Sequence, residues 1–223
     1  ISYIVTISTI LKLIWKENNK ARMLVELFDF QNKALGSLRE RQVKAQRRYK
    51  QDGEKSIIPF TAPTGAGKTI IMSAFIEALY TGDTYQGTQN DAIVLWISDA
   101  PELNEQSKDK LYKVADKLRN RQVVTIDEQN FKADKLQLGT IYYVNTQKFG
   151  VNSNLVKYSD SRNYTGWDFM RNTIEEYGDK LVVIIDEAHR GAKPNEIGTQ
   201  MSIMQKFVLG SETDNMPSMP LII

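Results

Sequence analysis

Thr61-Ala62-Pro63-Thr64-Gly65-Ala66-Gly67-Lys68-Thr69 stands between an apolar run, Ser56-Ile57-Ile58-Pro59-Phe60, and the segment Ile70-Ile71-Met72-Ser73-Ala74-Phe75-Ile76-Glu77-Ala78-Leu79. The run reads as a short buried strand and the second segment as a mostly buried helix. Strand, glycine loop and helix in that order are the context a phosphate-binding loop requires. Gly65 and Gly67 lack a Cβ, so the backbone can take positive φ and turn its N–H groups inward around a triphosphate, with Pro63, Thr64 and Ala66 forming the rest of the cradle. The helix opening near Lys68 adds unpaired N–H groups and the positive end of its dipole. Lys68 supplies a mobile charge to the terminal phosphates, and the Thr69 hydroxyl is a ligand for Mg²⁺.

A second segment carries matching chemistry. Leu181-Val182-Val183-Ile184-Ile185 is a continuous apolar run, as expected of a central parallel strand covered on both faces. It ends in Asp186-Glu187-Ala188-His189. A carboxylate at the C-terminal end of such a strand lies at the rim of the sheet where open α/β folds bind ligands. Asp186 is therefore expected to hold Mg²⁺ through water, and Glu187 to orient and polarise an attacking water. Two adjacent acidic residues would be costly in a core without a cation. His189, the single histidine of the chain, reads as a hydrogen-bonded structural residue or, as the last member of the Asp-Glu-Ala-His box, as a residue that couples nucleotide state to neighbouring segments; no proton transfer is assigned to it.

The chain has 223 residues, enough for one large α/β domain, alone or with an appendage, and too few for a complete two-domain motor. Lys and Arg total 29 against 27 Asp and Glu, a net charge of +2, so any nucleic-acid contact has to come from a local surface. Cysteine is absent, which excludes disulfides, thiolate catalysis and cysteine zinc sites and fits the cytoplasm. Ile1 to Trp15 is apolar but carries Lys12 and is shorter than the about 20 residues of a membrane span. It also lacks the marks of a secretory signal; strand and helix readings of it both stand. The chain starts on Ile, as expected of a piece of a longer product or of a processed chain.

Asn18 to about Tyr49 reads as helical, with Ala21, Leu24, Val25, Leu27 and Phe28 on one apolar face. Within it lies Phe28-Asp29-Phe30-Gln31, which admits two readings: an aromatic beside a carboxamide that offers one donor and one acceptor side by side to a ligand, or two core phenylalanines beside a solvent-facing Gln31. Arg39, Arg41, Lys44, Arg47, Arg48 and Lys50 form a basic run, read as a solvated face, with a phosphate-contacting flank as the alternative. Ala92 to Ile97 is a second buried strand, and Asp99 with Glu102 has capping-box spacing ahead of a helix running to about Leu118.

Gln122 to Ile126 and Thr140 to Asn145 read as two more strands. The latter ends in Thr146-Gln147-Lys148, which reads equally as a plain strand-end turn or as a contact where Thr146 could donate to a phosphate and Lys148 neutralise one. Phe149 to Thr165 reads as a long exposed insertion, Thr165 with Asp168 as a helix start, Glu196 to Leu209 as a helix ended by Gly210, and Leu221 to Ile223 as the start of another strand.

The loop lacks the first glycine of the general GxxxxGK[ST] pattern, and its AxxGxGKT form resembles the variant of superfamily 2 helicases. With Gln31, the helix after Asp99, Thr146-Gln147 and the Asp-Glu-Ala-His box in the same order, the segment from Phe28 to Ile223 resembles the first RecA-like domain of the DExH group. The texture around Gln106 and Thr146-Gln147 is most similar to the motor (Res) subunits of type III and type I restriction enzymes. That resemblance implies an α/β RecA-like P-loop NTPase domain with a mostly parallel central sheet flanked by helices on both faces. It implies residues 1–27 as an N-terminal extension and 28–223 as the first RecA-like domain, stopping before the Ser-Ala-Thr segment and a second RecA-like domain.

The implied activity is ATP hydrolysis with Mg²⁺ that drives movement along nucleic acid, most naturally double-stranded DNA. Gln31 would then read adenine. The departures are Ala62 for glycine and Ser98-Asp99 where a Pro-Thr or basic pair is usual; Asp99 would repel a phosphate. No nuclease site is visible. A P-loop ATPase with a non-nucleic-acid target, an RNA helicase and a nucleotide-binding scaffold remain the competing classes.

Overall fold

The computed structural model describes residues 25–84, 86–129, 131–159, 163–186 and 201–223. Within them the chain runs α1 (Asp29–Asp52), β1 (Ser56–Ile57), α2 (Lys68–Thr81), β2 (Ile93–Ser98), α3 (Pro101–Val114), β3 (Val123–Thr125), β4 (Ile141–Asn145), α4 (Gly166–Tyr177), β5 (Leu181–Ile185), α5 (Ile203–Leu209) and β6 (Leu221–Ile222). The six described strands form one sheet in the order β1-β6-β5-β2-β4-β3, with every neighbouring pair parallel. Their C-terminal ends therefore share one rim.

Helices lie on both faces, which explains the unbroken apolar runs of β2, β4 and β5, buried along their whole length. Alternation along each strand divides the interior. Val94, Trp96, Tyr143, Val182 and Ile184 face a cluster completed by α1, α2 and Leu111 of α3. Leu95, Ile97, Tyr142, Val144 and Val183 face a second cluster filled by Trp167, Phe169 and Met170 of α4 and Phe207 of α5.

Several expectations are corrected. Of the helix expected from Asn18, residues 18–24 lie outside the described residues; Val25 to Phe28 are not helical, α1 starts at Asp29, and Phe28 is exposed instead of lying on an apolar face with Leu27. The strand before the loop is not buried: β1 is two residues long at the edge of the sheet, and Ile57 is 61% exposed. The N-cap position of α3 falls on Ala100, one residue after Asp99. Pro101 sits in the first turn, and the helix ends at Val114 before a short 3₁₀ turn, Asp116–Leu118.

The stretch after β4 is not wholly exposed. Phe149 and Leu155 are buried, with Phe149 packed at 4.7 Å between ring centroids from Trp167 and 4.9 Å from Phe207. Thr165 and Asp168 do form the expected capping box at the start of α4. Residues 196–200 of the expected last helix lie outside the described residues; α5 runs from Ile203 with Ser202 as its N-cap, and Gly210 closes it at φ 86°.

Candidate functional site

The loop between β1 and α2 has the backbone its glycines were read for. Gly65 and Gly67 adopt φ of 83° and 80°, and Gly67 is the N-cap of α2, so the first N–H groups of that helix open toward the loop. Pro63, Thr64, Gly65 and Lys68 are exposed, while Ala66, Gly67 and Thr69 are half-buried. Lys68 makes no ion pair among the described residues, which leaves its ammonium available to an anion at the loop.

Gln31 stands directly behind this loop, in the first turn of α1 and 4% exposed. Its Nε2 donates to the Ala66 carbonyl at 3.1 Å, and its Oε1 accepts from the Phe28 N–H at 3.0 Å. The positive φ requires glycine at Gly67, and a Cβ there would lie 2.8 Å from that Nε2 and push the Gln31 amide aside. The reading with two core phenylalanines and a solvated glutamine is inverted. Phe28 and Phe30 are exposed and stack on each other at 6.0 Å, and Gln31 is the buried member. Each amide atom keeps capacity for one more bond, an N–H on Nε2 and a lone pair on Oε1.

Asp186 follows β5 at the same rim, half-buried, with its N–H donating to the Ile97 carbonyl at 2.9 Å. Only β6 separates β1 from β5. Parallel strands lie about 4.8 Å apart, so the strand ends carrying the loop and Asp186 are about 10 Å apart across the sheet. A triphosphate with a cation spans such a gap. Thr69 and Asp186 offer hard oxygen donors, the type Mg²⁺ selects. Glu187 and His189 lie outside the described residues. Among the described residues no group of three or more His, Asp or Glu comes together.

Thr146 and Lys148 lie at the same rim, in a 3₁₀ turn (Thr146–Phe149) that follows β4. Thr146 is half-buried, and the Lys148 ammonium donates to Oε2 of Glu128 at 2.6 Å. That carboxylate, in the loop after β3, was not anticipated. Two buried carboxamides were also missed: Asn104 of α3 and Asn145 at the end of β4, 2% and 5% exposed, with no hydrogen-bond partner for either Asn104 polar atom or for Asn145 Oδ1 among the described residues. Their only sequence signal is a polar residue at an apolar position of the pattern.

A glycine loop and a strand-end carboxylate on one rim of an all-parallel sheet with helices on both faces make this a RecA-like domain of the superfamily 2 helicase type. More narrowly, the family model described as "Type III restriction enzyme, res subunit" matches residues 24–210, most of the chain, and the chain belongs to that family. Family membership makes it a helicase-like, nucleotide-binding motor domain. Among individual curated proteins none matches the chain. No helix among the described residues is long and apolar enough to cross a membrane.

Proposed function

We propose that this chain is the ATP-binding half of a DNA-dependent ATPase, a translocase or helicase of the restriction-enzyme type that works in the cytoplasm on double-stranded DNA. The observation that carries the reading is the shared rim: the loop ending in Lys68 and Thr69 and the carboxylate of Asp186 flank one strand position at the C-terminal edge of the sheet. In this reading residues 28–223 form the first RecA-like domain, residues 1–27 precede it, and a second RecA-like domain completes the cleft.

The loop backbone at Pro63, Thr64, Gly65, Ala66 and Gly67 cradles the phosphates, and Lys68 neutralises charge on the β- and γ-groups. Gln31 uses its remaining donor and acceptor on the adenine edge while holding Ala66 in place. Thr69 and Asp186 would hold Mg²⁺, which when bound offsets the charge that develops on the transferred phosphoryl group. Glu187 accepts a proton from the attacking water and orients it. His189 transmits the state of the nucleotide, and Thr146 and Lys148 contact a DNA phosphate. An arginine from the second domain would raise the rate by roughly 10³ to 10⁵, so residues 1–223 alone should turn over poorly.

Turnover by the full-length protein, measured with duplex DNA, single-stranded DNA and RNA, tests this. Duplex stimulation that is lost in Glu187→Gln while ATP binding remains supports the proposal. Turnover indifferent to all three polymers, or unchanged in Glu187→Gln, rejects it.

A further inference from the structure

Among the described residues no strand pairs with the outer edge of β1, where the chain enters the sheet. β1 bonds to β6 through the N–H groups of Ser56 and Ile58, which donate to Pro220 and Ile222. By the alternation of a strand, Ile57 turns its N–H and C=O outward. Beside that edge runs a cavity of about 220 Å³, walled on one side by Arg41, Lys44 and Arg48 of α1 and on the other by Ser56–Pro59.

The two faces of this edge differ in chemistry. Ile58 points into the cluster under α1, so the α1 side of the edge carries the three cations. Ile57 points to the opposite face and is 61% exposed. Arg41 forms no ion pair among the described residues. Lys44 pairs with Glu40 at 2.6 Å and Arg48 with Glu54 at 3.4 Å, with every one of these side chains more than half exposed. Exposed pairs of this kind contribute about 0–1 kcal/mol and exchange partners readily.

We propose that this groove is a docking site for an extended peptide segment of a partner protein, added to β1 as a parallel or antiparallel strand. Its acidic side chains would alternate with apolar ones. Backbone bonds to Ile57 fix the segment, carboxylates on one face meet Arg41, Lys44 and Arg48, and apolar side chains on the other cover Ile57. Pro59, lacking an N–H, marks where the added strand ends. A phosphodiester backbone matches the cations but uses neither the outward backbone groups nor the exposed isoleucine, which favours peptide over nucleic acid.

The test uses the full-length protein and a fluorescein-labelled, N-acetylated octapeptide of alternating valine and glutamate, followed by anisotropy. A valine–lysine octapeptide and a short DNA duplex serve as comparisons. The glutamate peptide should bind, the lysine peptide should not, and binding should protect the Ile57 amide from hydrogen exchange. The charge-reversed variant Arg41→Glu/Lys44→Glu/Arg48→Glu should weaken binding by about tenfold or more. Ile57→Pro keeps the cations and the β6 bonds but removes the outward N–H, and should weaken binding similarly. Absence of peptide binding at millimolar concentration overturns the proposal. So does binding unaffected by either variant, or duplex binding lost in the charge-reversed protein with no peptide binding to the parent.

Discussion

Gln31 Nε2 donates to the carbonyl of Ala66 at 3.1 Å, joining the first turn of α1 to the middle of the glycine loop across 35 residues of sequence. In the proposed function the helix that would recognise the base also sets the shape of the glycine loop. Replacing Gln31 by Ala should raise KM for ATP and reduce the preference for adenine over guanine nucleotides, with a smaller fall in kcat, as steady-state kinetics of the full-length protein would record. Gly67→Ala should abolish nucleotide binding, because the new Cβ meets Nε2 at 2.8 Å and the residue sits at φ 80°. The Gln31→Ala/Gly67→Ala double variant relieves the contact and not the backbone strain, so calorimetry should still detect no binding.

Arg39 is wholly buried, and its guanidinium bonds to Asp83 at 2.9 Å, to the Gly87 carbonyl at 2.9 Å and to Gln42. Its role is to tie α1 to the loop after α2. Arg39→Met removes the guanidinium from Asp83, which keeps the Gln86 N–H, and from the Gly87 carbonyl, and should destabilise the fold by about 3–5 kcal/mol. Adding Asp83→Asn should recover part of that loss in urea denaturation.

Glu77 of α2 is 3% exposed and accepts from the Lys117 N–H at 3.2 Å. Burial pushes its carboxyl above the usual range, the Lys117 N–H and charge oppose the shift, and Asp116 adds to it. A raised folded value means that the native state holds the proton more tightly. The associated stability is present below the unfolded carboxylate range and is lost as pH rises through the folded value. Glu77→Gln keeps the acceptor and removes the ionisation. Its melting temperature should therefore exceed that of the parent by about 2–4 °C or less at neutral pH, with the difference closing toward acid pH.

Lys148 is neutralised by Glu128 at 2.6 Å. If Lys148 contacts a DNA phosphate, Glu128 competes for the same ammonium. Glu128→Gln should then tighten duplex binding a few-fold, and Lys148→Ala should lower the slope of log K against log salt by about 1. Equal slopes in parent and Lys148→Ala would remove Lys148 from the interface.

The parts of the fold that were legible in the sequence are those that local pattern determines. The apolar runs of β2, β4 and β5 fix buried parallel strands, Gly65 and Gly67 fix the loop, and Thr165 with Asp168 fixes the start of α4. What the sequence hid depends on partners far along the chain. Arg39 sits in a basic run that reads as solvated, yet its carboxylate partner lies 44 residues on. Phe149 opens a polar stretch that reads as exposed but inserts between Trp167 and Phe207. Phe28 and Phe30 look like core and are exposed, because the helix turns Gln31 toward the loop instead. At the candidate site, the backbone of the loop and the rim position of Asp186 were readable; the grip of Gln31 on Ala66 and the pairing of Glu128 with Lys148 were not.

The central claim is that the glycine loop and Asp186 serve one nucleotide–metal site. Paramagnetic broadening of backbone amides by Mn²⁺–ATP measures it directly. With the strand ends about 10 Å apart, the amides of Gly67 and Asp186 should both broaden beyond detection, while Val123 at the start of the far-edge strand β3 remains sharp. Broadening confined to the loop, with Asp186 unaffected, would contradict the account.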